Sequence, residues 1–178
     1  MHALNTVTPR YDPVEDRILL AINAGKEDAW ACWLTRRMTL GALSQLNQYL
    51  DKTSTVAART PLEYRSEVSA MERAAAVATT RSALSKTSDE QLTSVAAHGE
   101  LATELNLTPQ GDKFVFDIRG RQGGHARGLV SRAELQTILL MIEQEAVKSG
   151  WVPAAPTPPA PEPGQEQAVA AAKKRRAN

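Results

Sequence analysis

The sequence predicts an α+β fold: an antiparallel sheet built from two pseudo-repeated blocks of hairpin then helix, with the helices packed on one face. A further helix is inserted between the blocks, and a disordered proline-rich tail follows. Three observations lead there. Alternating apolar residues flank turn signals at 17–34 and again at 101–118. Each of these runs leads into apolar residues at spacings of three and four, the period of a helix that buries one side. From Trp151 onward the composition changes abruptly, with six prolines inside eleven residues.

In chain order, residues 1–12 read as a flexible N-terminal arm, and residues 13–151 as a single α+β domain. The first block spans 17–51. RILLAIN sets Ile18, Leu20 and Ile22 on one side, AGKED supplies a turn, and AWACWLT forms the partner strand. Its helix carries Leu43, Leu46 and Leu50, with Met38, Ala42 and Tyr49 beside them.

The inserted helix is expected over 60–84. Thr60 suits an N-cap, Pro61 the first helical position, and Glu63 completes a capping box. Tyr64, Val68, Met71, Ala75 and Ala78 form a heptad-like stripe of mostly small residues. Such a stripe permits close approach but buries little area, at roughly 25 cal/mol per Å². It packs on its own sheet or pairs with a helix of another subunit. Residues 85–98 read as a loop or a short helical turn.

The second block spans 101–149. LATELNL alternates, TPQGD signals a turn, and KFVFDIRG places Phe114, Phe116 and Ile118 on one face. A glycine-rich loop and a short strand near HARGLV follow. The last helix has a capping box in Ser131 and Glu134, a stripe of Leu135, Leu139, Ile142 and Ala146, and Gly150 where a C-terminal cap belongs. WLTRRMTLGALSQLNQYL and GLVSRAELQTILLMIEQE share an order: apolar strand end, Thr or Ser, Arg, then amphipathic helix. Residues 152–178 form the tail, whose prolines block both helix and ladder and whose Lys173, Lys174, Arg175 and Arg176 make a basic end.

Charge balance limits the partners. Lys plus Arg number 21 against 20 for Asp plus Glu, so attraction to nucleic acid or anionic lipid would have to be local. One cysteine, Cys32, excludes an internal disulfide and a cysteine-built zinc site, and suits a reducing compartment. No stretch of about 18 apolar residues occurs, and the first residues lack a secretory pattern. The chain reads as soluble, cytoplasmic and without membrane contact.

Two tryptophans lie three residues apart in one strand, so they point to opposite faces. Trp30, sharing a face with Cys32 and Leu34, is a core anchor. Trp33 falls on the face of Arg17 and Leu19, with Arg119 joining it if the hairpins share a sheet. Arg36 and Arg37 open a helix, where positive charge costs about 0.3–1 kcal/mol against the dipole. They either pair with Asp12, Glu15 or Asp16, or receive an anion. Catalytic signals are scarce: Cys32 sits inside an apolar strand, and His98 and His125 have no ligand spacing. GRQGGHARG fits neither the Walker nor the dinucleotide pattern and reads as a hairpin loop. No catalytic, cofactor or metal residue is assigned.

The sequence therefore points to a non-enzymatic interaction or assembly module that oligomerises or docks on a protein partner. Its contact surface would be the inserted helix, the Trp33 face or a sheet edge. The alternative is a single-stranded nucleic-acid binder using Arg17, Trp33, Arg36, Arg37, Arg119, Arg121 and Arg127. In its succession of strands then helix, repeated, the chain resembles Whirly-like and PUR-like single-strand binders. The resemblance covers block order alone, without a specific motif of either, and implies a twisted sheet presenting Trp33 and arginines to a phosphate backbone.

Overall fold

A computed structural model describes residues 1–54, 56, 59–80 and 87–153. The strands are β1 (His2–Ala3), β2 (Val7–Asp12), β3 (Arg17–Ile22), β4 (Trp30–Leu34), β5 (Glu100–Gln110), β6 (Lys113–Gly120) and β7 (His125–Ser131). The helices are α1 (Arg36–Thr53), α2 (Arg65–Thr80), α3 (Asp89–Ala96) and α4 (Arg132–Lys148). The class is α+β. Among the described residues the strands form one sheet in the order β1-β7-β6-β5-β4-β3-β2.

The sheet is mixed, where the sequence suggested an antiparallel one. β4 pairs parallel with β5, and β1 parallel with β7; the other neighbours are antiparallel. Connectivity explains the central exception. After β4 the chain leaves through α1, α2 and α3 before it returns as β5, and only such a long crossover can place two strands side by side in the same direction.

The expected flexible arm, residues 1–12, is instead part of the sheet and reaches both of its edges: β1 lies on β7, and β2 on β3. Leu4 and Val7 are buried, so ordering this segment removes apolar surface from water. Pro9, which cannot donate to a ladder, falls in β2 at the sheet edge, where prolines are tolerated. The bend between the two strands is held by Asn23, itself fully buried with a positive φ of 52°. Its Oδ1 accepts the N–H groups of Asn5 and Thr6 at 3.2 and 3.1 Å, and its Nδ2 donates to the Ala3 carbonyl and Asp28.

The main core lies on one face of the sheet. Ile18, Leu20 and Ile22 of β3 join Phe114, Phe116 and Ile118 of β6, covered by α1 and by Leu135, Leu139 and Ile142 of α4. α4 packs on β7 and on β2, strands from opposite ends of the strand order, so the sheet curves around it. At the far side the Tyr11 N–H donates to the Glu145 carboxylate at 2.9 Å. The Ser131–Glu134 capping box forms, and Gly150, with φ of 74°, closes the helix so that Trp151 N–H returns to the Ala146 carbonyl.

The inserted helix differs from expectation at its start and in its orientation. A short 3-10 turn, Leu62–Tyr64, precedes α2, and the Thr60 hydroxyl donates to the Val56 carbonyl rather than capping. α2 packs on α4 and buries Ser69 and Ala76, leaving Tyr64 and Met71 of the heptad-like stripe exposed. Residues 81–84, and the tail from 154 onward, lie outside the described residues. α3 covers the opposite face of the sheet, where Leu92 packs with Leu19, Ala21 and Ala31.

Candidate functional site

The two halves of the sheet meet over a short seam. β4 and β5 are joined at only two positions, Cys32 with Glu100 and Trp33 with Leu101. Two local features then drive them apart. β4 ends at Leu34, and Thr35, whose side chain accepts from Met38 N–H, turns the chain into α1. On the other side a register shift between Ala102 and Glu104 bulges β5, and the Thr103 hydroxyl bonds the Arg119 carbonyl at 3.2 Å. Bulges bend a strand, and β5 swings away from β4.

From Ala102 to Gln110, β5 is therefore paired with β6 on one side, and no strand lies on its other side among the described residues. Pro109 within this stretch fits an edge position. Facing it is α1. The helix uses Thr39, Leu43 and Leu50 toward the core. The neighbouring stripe of Arg37, Met38, Gly41, Ala42 and Gln45 lines a groove of about 600 Å³ whose other wall is Leu101 to Thr103 and Leu105. Gly41 is why the groove is open at mid-length: a Cβ placed there would meet nothing within 4 Å.

The wall on the β5 side carries chemistry that the side chains do not. An unpaired strand edge presents backbone N–H and C=O groups in alternation, each ready to bond an added strand. Met38, Ala42 and Leu105 give the groove an apolar lining, and Arg37 is exposed at the end nearest the start of α1.

The expected contact residues do not gather into one surface. Trp33 is half-buried, packed against α3 beside Val95 and Ala96, so the open indole amid arginines is not formed. Arg17 pairs with Glu15 at 3.6 Å. Arg119 and Arg127 do converge, but upon Asp117, at 3.5 and 3.9 Å, with Glu104 and His125 completing a mixed-charge cluster. Burial works to raise the Asp117 carboxyl, yet the hydrogen bond and charge of His125, together with Arg119, outweigh it and hold the group below the usual carboxylate range. The Arg121 backbone N–H bonds the Leu101 carbonyl, and its side chain is exposed.

Arg36 and Arg37 make no ion pair with the acids expected for them. Glu15 is taken by Arg17, Asp16 accepts from Tyr11 and Trp151, and Asp12 accepts the N–H groups of Val14 and Glu15. Both arginines are exposed, and Arg37 alone of the expected residues lines the groove. A sheet edge is among the contact surfaces the sequence suggests, and β5 supplies it. The signals for it were Gly41 and Ala42 interrupting a bulky helix, and Pro109 after an alternating run.

Elsewhere, a cleft of about 400 Å³ runs between the β3–β4 turn and α3, lined by Lys26, Trp30, Glu90, Gln91 and His98. It holds no nucleophile paired with a base. Cys32 is buried, and burial together with the Glu100 charge pushes its thiol up to about 12, away from nucleophilic use. Among the described residues no group of three or more His, Cys, Asp and Glu is placed to hold a metal ion, and no helix is long and apolar enough to cross a membrane. No protein-family model, curated protein or solved structure matches this chain.

Proposed function

We propose that the chain is a non-enzymatic protein interaction module that docks an extended segment of a partner in the groove between α1 and the open edge of β5. One observation carries the reading: nine residues of strand, 102–110, pair with a strand on one side only, and the first of them, Ala102, Thr103 and Leu105, share a groove with Met38, Gly41 and Ala42 of α1. Adding a strand to such an edge satisfies its backbone groups and lets alternate side chains enter the groove. Selection of random dodecapeptides displayed on phage against the full chain tests it. The selected peptides should lose binding to Gly41→Phe, which fills the groove; binding that survives this substitution counts against the reading.

Self-association is a second reading with its own support. Leu62, Tyr64 and Met71 are 80%, 52% and 71% exposed on the outer side of the 3-10 turn and α2, an apolar patch that a second copy could cover. Solution mass above that of a monomer, reduced by Met71→Glu, would support it. A single-strand nucleic-acid role has less support, because Arg17, Arg119 and Arg127 are engaged by carboxylates and Trp33 lies against α3.

A further inference from the structure

Resting on that strand-addition reading, we infer that the docked segment is acidic and free of proline, with a carboxylate side chain and an apolar anchor two residues apart. The charge pattern of the groove points this way. Arg36 and Arg37 are both exposed and make no ion pair among the described residues, and the residues lining the groove include Arg37 but neither Asp nor Glu. The first turn of α1 likewise contains no acidic residue, so the positive end of the helix dipole adds to the field of the two guanidinium groups. Of the acids on β5, Glu104 is drawn to Arg119 at 3.6 Å in the cluster around Asp117, and Glu100 accepts from Trp30 and Gln122.

Spacing sets the second requirement. Arg37 and Gly41 are one helical turn apart, a rise of about 6 Å along α1. Alternate residues of a strand that point to one side are about 6.6 Å apart. A docked strand that runs alongside α1 with a carboxylate opposite Arg37 brings its next same-side residue to the open space at Gly41, among Met38, Ala42 and Leu105. Proline is excluded where the segment must donate N–H groups to β5. The chain's own residues 152–178 suit this poorly, with six prolines and four terminal cations of the same sign as the groove.

The test sequences the phage-displayed dodecapeptides that bind the full chain and repeats the selection on an Arg36→Glu/Arg37→Glu variant. Glutamate suits the first turn of a helix, so this variant keeps its fold. Synthetic copies of the selected peptides are measured by fluorescence anisotropy. The inference expects Asp or Glu two positions from Leu, Ile, Val or Phe, and replacing that acid with Lys should weaken binding about two- to fivefold per charge at low salt. The variant should select Lys or Arg at the same position. Peptides that are blocked by Gly41→Phe but show neither an acidic preference nor a reversal overturn the inference and leave the docking reading standing. Peptides indifferent to Gly41→Phe, or a selection that yields none, overturn both.

Discussion

The indole N–H of Trp30 donates to the buried carboxylate of Glu100 at 3.0 Å, joining β4 to β5 across 70 residues of sequence at the place where the two strands meet. The other Glu100 oxygen accepts the Gln122 N–H, and Gly120 and Gly124 leave room for the carboxylate: a Cβ on either would fall about 2 Å from it. The two strands pair only at this anchor and at Trp33 with Leu101; beyond that they part and the groove begins.

Glu100→Ala should therefore be costly. It leaves the buried Trp30 N–H without an acceptor, takes one from the part-buried Gln122 N–H and opens a cavity, a loss of about 2–4 kcal/mol in urea unfolding. Glu100→Gln keeps one acceptor and should cost less. Equal and small effects of both would show that the carboxylate is dispensable to the junction.

Asn23→Ala should release the N-terminal strands. Three of its hydrogen bonds hold the 3–6 bend and a fourth reaches Asp28, so a loss of about 2–3 kcal/mol is expected. Hydrogen exchange should rise first in β1 and β2. Unchanged protection there would detach the bend from Asn23.

Gly41→Phe should abolish docking without weakening the fold. The new side chain enters open space, and phenylalanine in place of glycine inside a helix gains a few tenths of a kcal/mol of propensity. The melting temperature should hold or rise slightly. A marked fall would mean that the groove is closed in solution.

Cys32 should be inert while the protein is folded. With the thiol pushed up to about 12, its thiolate fraction at pH 8 is roughly a thousandfold below that of a free cysteine, before access is considered. Reaction with a disulfide reagent should be slow in buffer and fast in guanidinium chloride; fast reaction in buffer contradicts the burial.

Asp117 should contribute to stability in one pH window. Its folded pKa is lowered, so the unfolded chain protonates first as acid is added. The contribution is full above about pH 4 and is lost as pH falls through the lowered folded value. The stability difference between wild type and Asp117→Asn should be larger at pH 5 than at pH 3 and shrink as the pH falls below 4. A difference that grows on acidification would reverse the assignment.

Much of the fold was legible because hydrophobic spacing reports burial directly. Ile18, Leu20 and Ile22, the Phe114–Ile118 face, the Ser131–Glu134 box and the opposite orientations of Trp30 and Trp33 all stand where period and capping chemistry put them. Residues 1–12 were not legible, since Pro9 breaks a strand pattern and Asn23, which holds the bend, is remote in sequence. The mixed sheet follows from a crossover, which local periodicity does not encode. The half-burial of Trp33 was not legible, because Leu92 and Val95 of the cluster it packs with come from a short polar helix far along the chain. The groove was hidden for a different reason: it arises from what β4 and β5 fail to do after Leu101, and an unmade pairing leaves no pattern in sequence.

Amide hydrogen exchange along β5, resolved residue by residue by NMR on the full chain, tests the open edge most directly. Successive amides of a strand point to opposite sides. Between Ala102 and Gln110 alternation is expected, with amides directed at β6 protected and those on the unpaired side exchanging fast, Pro109 having none. Uniform protection along the whole stretch would show that something already occupies the edge, and would contradict the docking site.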